Sequence, residues 1–594
     1  MRLKRFKTIA TVLLVCLGGG LLVVSLFATQ LGLDSSENMG TMRQQLAVVS
    51  TILLLLPLLG FMIGRLERRF HRGKNLLDAL QKWSDGMDQK SGKSRSTGRK
   101  KRIIVPAFVW AILGVVVVML GSLWYMSGGK MSQLTPYSHF YDMQADGFLA
   151  GQTSLLEEPP AQLAQIEDPY NWKEREGFTY LWDATYYDGK YFIYWGPVPA
   201  LLACGIKLVH PMVVEDQLLV LIFISGLAAV FAALLAELRK RWFPSAPGWT
   251  LFLFTAILGF STPVFWLVNR PSVYEAAIAS CQFFLMLGIY AVVKGLISGR
   301  RQWAWLLLAG FALGAATGSR MSVLFVVLLV FGVTAWQLIK NDRKAFLSLC
   351  ALTVPLAVFA VGLAWFNYAR FGSIFETGLR YQLTGNFMGG EDTLLYSPWY
   401  AAPNFILALF QAFKVTAHFP FFKAVSNPHW GGMIRIAQHN YNVEPSSGIL
   451  YTLPVLYLMV IPAVRVIKRF WQWLNEKPAA EPDHAAPQFP RWLWSILIGG
   501  PAVAFTAMVC FMMMTMRYLA DFVPMLLLLT AVLVLYEIER HKASAWRKNS
   551  IVVLLLVLGI ASIGIGLLIN FANTDMRFMN INPGLFEQIS GWFG

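Results

Sequence analysis

The chain has 594 residues, of which 56% are hydrophobic and only 14% charged, a balance far from that of a soluble domain. Its net charge of +17 does not mark a nucleic-acid binder, because Lys and Arg fall in short clusters at the ends of apolar runs and not on one folded face. The five cysteines, Cys16, Cys204, Cys281, Cys350 and Cys510, stand singly in apolar stretches, which speaks against a disulfide framework or a thiol metal site.

The opening MRLKRFK runs straight into apolar sequence with no small-residue cleavage site behind it, so it reads as an uncleaved anchor. Apolar runs near the roughly 20 residues that cross a bilayer predict spans near 9–28, 46–64, 103–125, 217–238, 248–268, 272–293, 303–318, 321–339, 346–366, 447–464, 492–514, 519–536 and 551–571. The fold class expected is an all-α polytopic membrane protein of about thirteen transmembrane helices, with the N-terminus cytoplasmic. Residues 1–102 form a two-span extension with a basic cytoplasmic loop, 103–571 the transmembrane core, and 572–594 an extracytoplasmic tail. Orientation is set by the basic clusters: Arg239-Lys240-Arg241, Arg300-Arg301, Arg343-Lys344, Lys468-Arg469 and Arg547-Lys548 all fall on the cytoplasmic side. They do so only if the run 195–210 does not cross, so that run is predicted to be re-entrant or interfacial. The Ser, Gly and Lys-rich stretch near 90–101 reads as a disordered cytoplasmic loop.

Two large outer loops follow from this threading, 127–195 and 367–448. The first holds ten carboxylates against four basic side chains, whereas 67–102 holds twelve basic residues against four acids, so the two lie on opposite sides of the membrane. Within it, Asp142 and Asp146 are four apart, which on a helix puts both on one face. Such like charges are tolerated if a cation or a shared proton relieves them, or if they form an exposed acidic face. Farther on, Asp188-Gly189 sits between aromatic flanks as a two-residue hairpin turn. Asp183 precedes the hairpin beside Trp182, Tyr186 and Tyr187, whose rings suit either sugar stacking or the membrane interface. In the second loop, 405–413 is amphipathic and fits the interface.

The middles of the spans carry almost no charge, which separates this chain from proton-coupled transporters. Charge gathers at their outer ends instead: Arg270 and Glu275 at one turn, Arg320 at another, Arg517 and Asp521 at a third, and Glu376 with Arg380 after the ninth span. Brought together, these would make a polar site at the outer membrane surface.

Several segments are similar to those of a known group. The element AxxFLxGQ (Ala145, Phe148, Leu149, Gly151, Gln152), the ATGSR run ending at Arg320, DPY at 168–170, LWDATYYDGKYFIYWGPVPALL, FNYARFGSIFETGLRYQLTG and RYLADFVP resemble the GT-C superfamily of polytopic glycosyltransferases, in particular bacterial inner-membrane members. The resemblance covers most of the chain from about residue 103 onward. It implies a sugar on a polyprenyl phosphate as donor, an extracytoplasmic glycan, lipid or protein acceptor, and an acidic residue as base. One departure stands out: where mannosyltransferase-like members carry an acidic pair before AxxFLxG, this chain has Tyr137 and Ser138. The base is then Asp142 as first choice, Asp183 next, or Asp146 on a shifted loop.

Transfer from a phosphate-linked sugar needs a carboxylate to take the acceptor proton and cations to hold the leaving phosphate. Arginine suits the second task through its fork of donors, which makes Arg320 the first candidate and Arg380 and Arg517 alternatives, each against the reading of a snorkelling or ion-paired residue. Arg270, Glu275, Tyr187 and Trp182 complete the candidate substrate contacts. No metal is demanded: a divalent cation could sit beside Asp142 and Asp146, but no histidine joins them, and His139 and His429 stand alone. The competing functions are a lipid-linked saccharide flippase and a noncatalytic scaffold of envelope-polymer assembly.

Overall fold

The computed structural model describes residues 106–131, 134–297, 301–341, 345–385, 395–425, 441–465, 487–572 and 577–593. The predicted spans 9–28 and 46–64, the basic loop 67–102, His429 and the clusters at 343–344 and 468–469 lie outside these residues. The chain divides into two compact units at 104/105, and every described residue belongs to the second.

The protein is a membrane protein built mostly of helices. Helix α1 (Ala107–Met126) is followed by the short α2 (Phe140–Leu149), the hairpin β1 (Thr185–Tyr187) and β2 (Lys190–Phe192), and the 12-residue α3 (Val198–Val209). Then come α4 (Asp216–Trp242), α5 (Trp249–Phe260), α6 (Thr262–Asn269), α7 (Val273–Ile297), α8 (Gln302–Ser319), α9 (Leu324–Asn341) and α10 (Ala345–Phe371). After the second loop, which holds α11 (Ala401–Phe410), the chain continues through α12 (Ile449–Thr452), α13 (Arg491–Val509), α14 (Met516–Leu519), α15 (Val523–Arg540) and α16 (Ala545–Phe571).

Among the described residues seven helices are long and apolar enough to cross a bilayer, or eight if the bent pair α5–α6 is one span. The predicted span 248–268 is that pair. It bends by 53° at Ser261, where Pro263 opens the second helix and Ser261 Oγ bonds back to Leu258 O at 2.9 Å. Predicted spans 303–318 and 519–536 are helical as α8 and α15, while 447–464 breaks into α12 and the short apolar helix Pro454–Arg465. Helix α3 is too short to cross, in keeping with a re-entrant or interfacial piece.

Burial sorts the helices into centre and rim. In α7, 78% of the apolar window is buried, against 11% in α10, whose Phe346, Val361 and Trp365 face outward. Small residues let the central helices approach, as expected where packing and not water exclusion drives association: a Cβ on Gly288 of α7 would press on Leu313 of α8. Because successive helices alternate in direction, the charged groups sort to two ends. Arg320, Arg517, Asp521 and Glu275 lie at one, and Arg239, Lys294, Lys340, Arg491 and Arg540 at the helix ends opposite.

The hairpin forms as predicted. Asp188 and Gly189 both take positive φ (48° and 69°), as a type I′ turn requires, and Thr185 pairs with Phe192. A third segment joins it: Thr185 bridges to Gln382, Leu383 N donates to Ala184 O at 2.8 Å, and Asp183 N donates to Leu383 O at 3.0 Å. Two of the resembling motifs, far apart in sequence, thus meet above the helix ends.

Candidate active site

That third segment fixes Asp183. Its backbone sits in the left-handed region at φ 65°, which Asp tolerates better than most residues. The Tyr274 hydroxyl donates to Oδ2 at 2.7 Å, and Gln382 Nε2 donates to Oδ1 at 3.3 Å and to the Tyr274 oxygen at 3.2 Å. Burial pushes the carboxyl above the ordinary aspartate range, with the Tyr274 bond and then the Arg517 charge pulling the other way. The result is a carboxylate held by neutral donors and more basic than a surface aspartate.

Two arginines stand near it. The Arg517 guanidinium lies over the Tyr274 ring, 4.6 Å from its centroid, and is gripped in two places by Glu444 at 3.0 and 3.1 Å. Glu275 is 4.0 Å from it, and Thr515 Oγ1 steadies Glu444 at 2.8 Å. Arg320 meets Asp521 through Nη2 at 3.1 Å and Nε at 3.2 Å, and Nε also donates to Ser322 at 3.1 Å. Tyr518 lies between the two cations, its ring 5.1 Å from Arg320 and 5.5 Å from Arg517. Burial works against both guanidinium charges, and the neighbouring acids, Asp521 for Arg320 and Glu444 for Arg517, more than offset it, so both stay protonated. The hydroxyl of Tyr194 sits within electrostatic reach of Asp183, Arg320 and Arg517, and burial holds it neutral.

Backbone contact locks this cluster to the helices. Gly196, just after the hairpin, packs so closely that a Cβ there would lie 2.0 Å from Gly318 O, two residues before Arg320. Beside Arg320 a cavity of about 40 Å³ opens between Asp521, Tyr396, Tyr518 and Ala504, Ala507 and Met508 of α13. On the other side of Gly318, Val198 lines a larger apolar groove of about 500 Å³ together with Phe148, Gln152, Gly362 and Trp365.

The structure brings together Asp183, Arg320, Arg517 and Glu275 with Asp521, and Arg270 adds charge near Asp183 and Glu275. It separates others. Asp142 and Asp146 do share one face of α2, but Lys207 of α3 meets both at 2.6 Å. Val214 N also donates to Asp142 Oδ1 at 2.7 Å, so this oxygen is fully engaged. The expected relief of the acidic pair comes from a lysine, and the exposed-face reading fails for Asp142, whose side chain is 7% exposed. Arg380 pairs with Glu376 at 2.9 Å and is 62% exposed. Tyr187 packs on Tyr381 and Phe371, and Trp182, next to Asp183 in the chain, is half exposed near Gly385. His139 ends the loop before α2 and joins no metal-binding group; among the described residues no cluster of three His, Cys, Asp or Glu could hold one.

At the Tyr137–Ser138 departure an acid is supplied from elsewhere. Asp216, at the start of α4, accepts from Ser138 Oγ at 2.5 Å and from the Phe140 and Tyr141 amides at 3.0 and 3.1 Å. It is fully buried and saturated, a cap for α2 at the positive end of its dipole. Sequence reasoning missed Asp216, Lys207, Tyr274, Gln382, Tyr194 and Glu444. Tyr274 and Gln382 were visible only as neighbours of named residues, Glu275 and Arg380; nothing local marked the rest.

Residues 279–375, which include Arg320, match the family described as dolichyl-phosphate-mannose-protein mannosyltransferase. The chain resembles a GT-C glycosyltransferase. No curated protein matches it. Similar solved structures include the S. cerevisiae protein O-mannosyltransferase Pmt1-Pmt2 complex bound to the sugar donor, at 13% identity and TM-score 0.45, with 78% of this chain and 90% of that one covered. ArnT from Cupriavidus metallidurans bound to undecaprenyl phosphate aligns at 11% identity and TM-score 0.34, covering 80% and 77%. The Archaeoglobus fulgidus oligosaccharyltransferase AglB, with an inhibitory peptide and a dolichol-phosphate, aligns at 11% and 0.38, covering 82% of this chain and 59% of that one.

Proposed function

We propose that this GT-C-like protein transfers a sugar from a polyprenyl-phosphate donor to an extracytoplasmic acceptor, with Asp183 as base and Arg320 as the first phosphate contact. The observation that carries the reading is the meeting of one raised, neutrally held carboxylate with two protonated arginines at the same end of the helices. In the bacterial inner membrane, with the N-terminus cytoplasmic, that end faces outward.

Each group has a task. The acceptor hydroxyl oxygen attacks the anomeric carbon, the carbon–oxygen bond to phosphate breaks with its electron pair staying on the phosphate, and Asp183 takes the hydroxyl proton. The leaving phosphate departs as a stable anion and needs no proton, and Arg320 and Arg517 supply N–H donors to its oxygens. Asp521 and Glu444 aim those arginines and keep them charged in a site of low dielectric. Tyr274 and Gln382 hold Asp183 with its remaining lone pairs toward the acceptor. The apolar groove past Val198 suits the isoprenoid chain, since it adjoins Gly318 and so ends close to Arg320. A single base on one face predicts inversion at the anomeric carbon.

Asp142 has a different role in this reading. With Lys207 and Val214 on it, it ties α2 to α3 beneath the site. Purified protein in mixed micelles with undecaprenyl-phosphate-linked sugars tests the proposal. Wild type should release undecaprenyl phosphate from one of them, and Arg320→Lys, which keeps charge but loses the fork, should turn over roughly 100-fold more slowly. Equal turnover in wild type and R320K would remove Arg320 from the site.

A further inference from the structure

At the end of the helices opposite Arg320, α9 and α13 leave a second groove open between them. Its volume is about 590 Å³ and its walls come from Leu328, Gly332, Trp336 and Lys340 of α9 and Arg491 and Trp492 of α13. Leu328, Gly332, Trp336 and Lys340 are spaced by four, so they form one stripe along α9. The stripe changes character along its length, from aliphatic through tryptophan to ammonium. From Arg320 to Lys340 the helix rises about 30 Å, the thickness of a hydrocarbon core. The cationic end of the groove therefore lies at the opposite membrane surface from the active site.

Three observations define what fits there. Among the described residues, Lys340 and Arg491 both line the groove, no carboxylate lines it, and neither cation pairs with one. The walls are apolar and face outward: Leu328 is 50% and Trp336 69% exposed, as they would be toward lipid. Gly332 opens the middle, since a Cβ there would meet nothing within 4 Å. A soluble anion would use the two cations and leave the long apolar trough unfilled. A zwitterionic lipid would fill the trough and bring a positive group to two cations.

We propose that this groove holds an anionic phospholipid of the leaflet opposite the active site, its phosphate between Lys340 and Arg491 and one acyl chain along Leu328 and Gly332. Trp336 and Trp492 then stand at headgroup depth, where indole N–H groups and rings are both accommodated. The site is separate from the donor's, so it is occupied whether or not sugar transfer takes place.

Native mass spectrometry of the full chain, taken from micelles containing dioleoylphosphatidylglycerol or dioleoylphosphatidylcholine, tests this. Wild type should retain phosphatidylglycerol preferentially. Lys340→Ala with Arg491→Ala should lose roughly 10-fold of that preference, and Lys340→Arg with Arg491→Lys should keep it. Gly332→Leu fills the trough without touching charge, and replacing glycine inside a helix favours folding; it should lose the adduct with both cations in place. Adducts that survive in the double alanine variant or in G332L would overturn the proposal. So would loss in the charge-keeping variant, or displacement of the lipid by millimolar inorganic phosphate.

Discussion

At the scale of single residues, the choice between Asp142 and Asp183 turns on what each carboxylate faces. Both lie in the acidic loop, and the sequence reading puts Asp142 first, near the Tyr137–Ser138 positions where the resemblance implies an acidic pair. In three dimensions one oxygen of Asp142 is bound by a lysine and an amide and the carboxylate is held by a positive charge, whereas Asp183 is held by a phenol and an amide side chain, both neutral. Burial raises the Asp183 carboxyl above its usual value of 3.8. Below that raised value the group already holds a proton and cannot accept another, so activity should fall as pH drops through a point higher than an ordinary aspartate would give. The Tyr274 hydroxyl favours the ionised form, so Tyr274→Phe should move the acid limb of kcat/KM to still higher pH. A pH profile measured on both proteins checks this; an unmoved limb would detach Asp183 from the rate. Arg320 stood out in the sequence as a cation at the outer end of an apolar span, and the structure pairs it with Asp521, the ion-paired alternative weighed for it. Tyr274 and Gln382 did not stand out, because their value lies in reaching across from helix α7 and from the strand-like segment near 382.

Elements were legible where local chemistry dictates them. The Asp-Gly turn demanded a hairpin and made one, and four-residue spacing put Asp142 and Asp146 on one helix face. What answers that face is a tertiary matter: Lys207 comes from α3, 61 residues after Asp146, and no periodicity announces the meeting. Asp142 and Lys207 are both nearly buried, so removing one leaves the other uncompensated. Lys207→Met should destabilise the protein by roughly 1–3 kcal/mol, less than a fully buried pair would lose, and adding Asp142→Asn should recover part of it. Thermal unfolding of the two single variants and the double one measures that coupling. The bent pair α5–α6 shows the limit on the other side. Its hydropathy reads as one span, while Ser261 and Pro263 break it, and the break places Asn269 where its side chain bonds Asn570 O at 2.9 Å.

For the whole molecule, the distribution of charge was the most readable feature. Basic groups at one end of the helices and the Asp183, Arg320 and Arg517 cluster at the other follow from threading apolar runs with a single orientation rule. The number of spans was less readable: seven or eight helices pass on length and composition among the described residues, because α8 is diluted by small and polar residues, α15 ends in Glu537, Glu539 and Arg540, and 449–465 breaks near Pro454. A site that gathers residues 183, 274, 320, 382, 444 and 517 from six parts of the chain depends on helix order in the bundle, which hydropathy does not encode. That assembly also bears on metals. Lys207 already occupies the place between Asp142 and Asp146 where a divalent cation would sit, and in the proposed mechanism arginines hold the leaving phosphate. Sugar transfer by the purified protein should therefore be unchanged by EDTA, and a loss restored by magnesium or manganese would show a cation in the reaction.

The most direct measurement is mass spectrometry of lipid-linked sugars and surface glycans in cells lacking this protein, complemented with wild type, Asp183→Asn or Asp142→Asn at matched protein levels. The account predicts that one polyprenyl-phosphate sugar accumulates and one glycan loses that sugar, that D183N fails to restore it, and that D142N restores it to the extent that it folds. Full restoration by D183N would contradict the account, since a protein that works without its base is carrying or organising the lipid-linked sugar and not transferring it.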